Sequence, residues 1–132
     1  MKRKISIDKK RAFSLQLMSK TTLERLNSFD KLKYPSNTLD DYYNILHNLM
    51  EAISLLDGIK FSGDSAHKEL IEWITIKMNF PLPKKIFLQN IRNLRNKISY
   101  EGFFIKTDFI KNNDKNIMMI IKELNKTIDS LK

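Results

Sequence analysis

Apolar residues recur in steps of three and four along almost the whole of this 132-residue chain, and that spacing commits it to helices. In the first segment Ala12, Leu15, Thr22, Leu26 and Phe29 fall on one stripe, with Met18 and Leu23 beside it. The pattern stops near Tyr34-Pro35, because the residue before a proline avoids helical torsions. The second segment is the most regular: Leu39, Tyr42, Tyr43, Leu46, Leu49, Met50, Ile53 and Leu56. Asn37 or Thr38 is expected to cap it, with Asp40 and Asp41 in its first turn. A third helix from Asp64 or Ser65 buries Ala66, Leu70, Ile71, Ile74 and Met78. A fourth, from about Pro83 to about Tyr100, buries Phe87, Ile91, Leu94 and Ile98 and stops at Gly102. After the extended piece Phe103-Phe104-Ile105, Thr107 opens a fifth helix that buries Ile110, Ile117, Ile120, Ile121, Leu124, Ile128 and Leu131. Three glycines and three prolines leave few breaks. Nothing reads as a β-sheet. The expected fold is a single all-α domain, an antiparallel bundle of four to five helices.

Composition narrows the chemistry. The absence of cysteine excludes thiolate catalysis, a disulfide scaffold and a cysteine zinc site. No stretch approaches the ~20 apolar residues that span a bilayer, and no apolar core of signal-peptide length follows the basic start. The chain is therefore expected to be cytoplasmic, with no membrane partner. Its net charge of +9 is unevenly spread. Residues 1–11 hold six basic residues against Asp8, residues 84–97 hold five and no acid, and residues 38–72 hold seven acids against Lys60 and Lys68. A clustered basic surface attracts phosphate, nucleic acid above all. Lysine, isoleucine and asparagine abound while alanine is scarce, a bias that AT-rich coding also produces, so part of the charge is compositional.

The fourth helix carries the one segment whose residue types look chosen for more than packing. At ~100° per residue Arg92, Arg95, Asn96 and Ser99 share one polar face. Two of the five arginines lie there, against nineteen lysines in the chain. Their planar forks suit phosphate oxygens better than a lysine point charge. Tyr100, five residues past Arg95, points ~140° away unless the helix unwinds before Gly102. The plain alternative is a solvated helix face ending in a tyrosine that packs.

The run Arg95-Asn96-Lys97-Ile98-Ser99-Tyr100-Glu101-Gly102, at the end of the penultimate helix of a small all-helical domain, resembles the HEPN domains (higher eukaryotes and prokaryotes nucleotide-binding). Their signature is an arginine, usually followed by a polar residue such as asparagine, with four to six residues before a histidine. In ribonuclease members the arginine and histidine of two subunits meet across a dimer and cleave RNA without metal. Many prokaryotic members are toxins paired with a small nucleotidyltransferase antitoxin, and others are inactive dimers. Arg95 matches the arginine and Asn96 the polar residue, while Tyr100 stands where the histidine would be. Histidine serves because its pKa lies near neutrality, whereas tyrosine, at ~10, is a poor base. Tyrosine still hydrogen-bonds a phosphate or stacks on a base.

The resemblance implies an RNA- or nucleotide-binding homodimer of toxin–antitoxin or defence type, with weak or absent metal-independent ribonuclease activity. Arg95, Asn96 and Tyr100 would be its catalytic positions, and Arg92, Arg95, Lys97 and Ser99 would hold nucleic acid. No metal or cofactor is expected. The alternative is a non-catalytic dimeric protein-interaction module, and a basic helical DNA binder ranks behind both because no helix-turn-helix spacing is evident. Of the two histidines, His47 sits beside the core stripe of the second helix. His67, in the first turn of the third, is a minor candidate for a substitute base. Glu69 and Glu72 read as a solvated face or as ion-pair partners of the basic fourth helix.

Overall fold

Pro35 decides where the central helix begins, since proline fits the first helical position, where no backbone N–H is needed. The computed structural model describes residues 1–132 and contains five helices: α1 (Lys9–Asn27), α2 (Pro35–Leu56), α3 (Ala66–Lys77), α4 (Leu82–Glu101) and α5 (Thr107–Ser130). α2 packs against all four of the others and buries residues around most of its circumference, among them Leu39, Tyr42, Tyr43, Ile45, Leu46, Leu49 and Ile53. No helix is long and apolar enough to cross a membrane.

Polar contacts fix the directions. Asp8 N–H donates to the Leu55 carbonyl at one end of the α1–α2 pair, and Arg25 pairs with Asp41 at the other, so these helices run antiparallel. Glu72 with Lys85 and Gln89 with the Lys68 carbonyl make α3 and α4 antiparallel as well. α2 and α5 run side by side in the same direction: Ser36 meets Ile105 near both starts, and Tyr42 hydrogen-bonds Asp114 further on. Lys31 joins that last contact, tying the α1–α2 loop to both helices.

Several local expectations shift. α2 starts at Pro35 without a side-chain cap, so Asp40 and Asp41 lie beyond its first turn; the Thr38 hydroxyl instead donates to the Lys31 carbonyl, 2.6 Å away. Thr107 is the first residue of α5 rather than its cap, and its hydroxyl donates to the Leu32 carbonyl. Phe29 and Leu131 leave the core, being half-exposed just past the ends of α1 and α5. A small sheet is present where none was expected. β1 (Lys2–Lys4) and β2 (Ile59–Phe61) pair antiparallel, with Arg3 opposite Lys60. Three-residue strands carry too little alternation to stand out from helical patterning.

Gly58 seats this ribbon. Its φ is +71°, its carbonyl accepts from Ile5 N–H at 2.9 Å, and an added Cβ would lie 2.9 Å from the Ile5 carbonyl oxygen. Gly102, at φ +64°, closes α4 in the left-handed conformation with open space around it. Gly102→Ala is therefore expected to lower unfolding free energy by about 1 kcal/mol, and Gly58→Ala by about 2 kcal/mol or more, because backbone must also move. Urea denaturation of the two variants checks this order.

Candidate functional site

α2, α3 and α4 meet over one patch, and the chain's more reactive side chains gather there. Tyr43 and His47 lie four residues apart on α2 and so share a face. His67 enters from the first turn of α3, and Arg92 and Arg95 from α4. The His47 and His67 rings stack with centroids 3.9 Å apart. Tyr43 Oη and His67 Nδ1 are 2.8 Å apart, within hydrogen-bond distance. The Arg95 guanidinium sits over the Tyr43 ring at 5.5 Å, and its Nε donates to Asp40 Oδ1 at 3.1 Å. Arg92 Nε donates to Gln89 Oε1 at 2.8 Å, and Gln89 in turn donates to the Lys68 carbonyl at the start of α3. Both arginines are thus held through Nε, while their outer nitrogens form no hydrogen bond within the chain.

The two imidazoles open into a cleft of about 170 Å³ that also has Glu51, Lys60 and Ser54 on its walls. Glu51 ion-pairs with Lys60 at 3.2 Å and with Arg11 at 3.5 Å, and its other oxygen lies 4.0 Å from His47 Nδ1. No three His, Asp or Glu side chains converge as a metal-ligand set.

Burial and positive neighbours set the protonation states. His47 is pushed down to about 4, first by burial and then by His67 and Arg95, against opposing help from Glu51 and Asn48. His67 is lowered too, by burial and then by Arg95 and Arg92, with Glu51 opposing. Tyr43 is raised to about 12 by burial, the two arginines holding the rise back. At pH 7 the patch therefore holds two neutral imidazoles, a neutral phenol and two guanidiniums. Each neutral imidazole keeps a lone pair, and His67 Nε2 has no partner within the chain.

The α4 positions singled out in the sequence divide between two sides of the helix. Arg92 and Arg95 face α2 and α3, as described above. Ser99 borders a shallow cleft with Asp40, Ser36 and Phe103. Asn96, Lys97 and Tyr100 line a separate groove with Asn90, Asn93 and Phe109. α4 stays helical through Tyr100 to Glu101, so within one chain Tyr100, 81% exposed, is not brought to Arg95. Of the other candidates, Glu72 pairs with Lys85 of the basic helix at 3.1 Å. Reading the sequence placed His67 among the minor candidates and left out Tyr43 and the pairing of the histidines. The available signal was the i, i+4 spacing of Tyr43 and His47 at the edge of the core stripe; nothing local joins His67 to them. Comparison with family models, with curated proteins and with solved structures gives no match.

A pH dependence follows. An unfolded histidine has a pKa near 6.5 and binds a proton that buried His47 refuses until about pH 4. The folded pKa is the lower one, so the contribution is complete above pH 6.5 and is lost as pH falls from 6.5 toward 4. Stability is expected to drop across that window by on the order of 3 kcal/mol. His47→Gln should flatten this part of a denaturation-versus-pH curve.

Proposed function

We propose that this chain is a HEPN-like domain that binds RNA or a nucleotide through Arg92 and Arg95, and that it cleaves RNA weakly and without metal. The observation that carries the reading is the convergence of two guanidiniums with free outer nitrogens on a pair of neutral imidazoles, one with an unengaged ring nitrogen. Guanidinium edges bind phosphate oxygens in pairs, and they stabilise the extra negative charge of a phosphorane. His67 supplies the imidazole that the end of α4 lacks. In this reading His67 Nδ1–H donates to Tyr43 Oη, which leaves the lone pair on Nε2; Nε2 takes the 2′-hydroxyl proton, the 2′-oxygen bonds to phosphorus, the 5′-oxygen leaves, and solvent protonates it. Tyr43 orients the ring through Nδ1. The depressed basicity of His67 accounts for the weak activity of this reading. Asn96, Lys97, Ser99 and Tyr100 then belong to the flanks of the bound strand, or to the second subunit's side of a homodimer. A toxin–antitoxin or defence role, beside a small nucleotidyltransferase, is the context that the resemblance suggests.

A second reading is a non-catalytic dimeric interaction module. The Arg95–Asp40 ion pair favours it, since a guanidinium already bound by carboxylate is less available to phosphate. So do the aromatic side chains past the end of α4, with Phe104 82% exposed.

The deciding assay is cleavage of a mixed RNA pool in EDTA. Arg95→Ala and His67→Gln are each expected to reduce the rate about 100-fold, the scale of a lost oxyanion donor or a lost base. Arg95→Ala should also weaken salt-dependent RNA binding, and His67→Gln should leave binding intact. Absence of both cleavage and binding in the unaltered protein would leave the interaction module.

A further inference from the structure

A groove lies on the other side of α2 from this patch. Ile45, on its floor, is two residues from His47, which places the two side chains about 160° apart around the helix. The groove runs between α1 and α5, which are joined across it by Gln16 Nε2 donating to Asn125 Oδ1 and to Asp129 Oδ1, each at 3.0 Å. It encloses about 620 Å³. Its floor is apolar, made by Phe13, Leu23, Ile45 and Ile121, with Leu17 standing 63% exposed at the mouth.

The flank is basic. Lys111, Lys115, Lys122 and Lys126 of α5 are all exposed. At 100° per residue they fall within a sector of about 60°, running for about 22 Å of helix. None of the four is in an ion pair, and exposed Lys20 adds a fifth charge from α1. Three acids of α5 are engaged elsewhere, Asp114 with Tyr42 and Lys31, Glu123 with Lys84, and Asp129 with Gln16 and Lys132, while Asp108 of α5 and Glu24 of α1 stand exposed and unpaired, so the stripe keeps a net positive charge.

We infer that the α1–α5 groove docks an acidic amphipathic helix of a partner protein. The apolar floor takes the leucine-type stripe of such a helix, and the lysines face its carboxylates, the helix-in-groove mode of recognition. Two antiparallel helices leave a seat that a third fills; Lys122 and Lys126 flank the groove itself, and Lys111 and Lys115 carry the basic stripe on beyond its Leu23 end. Gln16 Oε1 and Asn125 Nδ2 make no hydrogen bond within the chain and are available to the guest. A polynucleotide fits less well. It would leave the apolar floor wet, and the one aromatic ring there, Phe13, already has the Lys132 ammonium 5.7 Å from its centroid. A second copy fits less well too. Asp40, Asp41, Glu51, Asp57 and Glu72 of α2 and α3 and the loop between them are paired within the chain, so neither helix offers a free acidic face.

The test uses the full chain and a labelled helix-forming peptide of about 18 residues, with leucines on one face and glutamates on the other, read by fluorescence anisotropy. A scrambled peptide of the same composition is the reference. The designed peptide should bind at least about 10-fold tighter than the scrambled one. Leu17→Glu, and separately the pair Lys122→Glu and Lys126→Glu, should each remove that preference. All three side chains are exposed, so the fold should survive, and circular dichroism checks it. Arg95→Ala should leave peptide binding unchanged, which separates this groove from the patch on the opposite side of α2. Equal affinity for the two peptides overturns the inference. So does displacement of the peptide by RNA with Leu17→Glu making no difference, which would mark a general polyanion surface. A dimer in sedimentation that Leu17→Glu disperses would overturn it in favour of a second copy.

Discussion

α2 has to be covered on nearly every side, and the positions of all the other elements answer to that requirement. A helix carrying Leu39, Tyr42, Ile45, Leu46, Leu49 and Ile53 exposes too much apolar surface for one neighbour to hide. Burial of each such side chain is worth about 1.5–3 kcal/mol, so uncovered sectors would be costly. α1 and α5 close two sectors, and α3 and α4 close the rest. The polar residues of α2, chiefly Asp40, Tyr43, His47 and Glu51, are left in the sector where α3 and α4 converge. Buried polar groups must be satisfied there, and they are: no side-chain nitrogen or oxygen in the interior lacks a partner.

The same requirement separates the histidine–arginine patch from the α1–α5 groove. The imidazole and guanidinium patch sits where α3 and α4 meet over the polar residues of α2. The α1–α5 groove sits where two helices touch through one glutamine and leave apolar residues beneath them partly open.

The helices were legible in the sequence because their signal is local. Ile110, Ile117, Ile120, Ile121, Leu124 and Ile128 reappear as the buried stripe of α5, and the end of α4 at Gly102 follows from its left-handed conformation. Phe29 and Leu131 failed because periodicity does not show where fraying begins. The ribbon was hidden because Lys2–Lys4 and Ile59–Phe61 pair across more than fifty residues of chain. At the patch, Arg92 and Arg95 could be picked out by residue type, and the angular distance to Tyr100 was correct on a straight helix. Asn96 and Ser99 separated from one another because a polar face about 100° wide is broader than the contact made by α2. The histidine pair was not legible, since it depends on how α3 crosses α2 and no spacing along the chain encodes that angle.

The patch draws Asp40 and Tyr43 from the first third of the chain, His47 and His67 from the second, and Arg95 from the last. During synthesis α1 and α2 emerge together and can pair as a hairpin before α4 exists. A chain still on the ribosome and ending short of Arg95 holds its two histidines without the guanidinium that completes the cluster. The finished patch therefore exists only once α4 has been made and has folded back over α2.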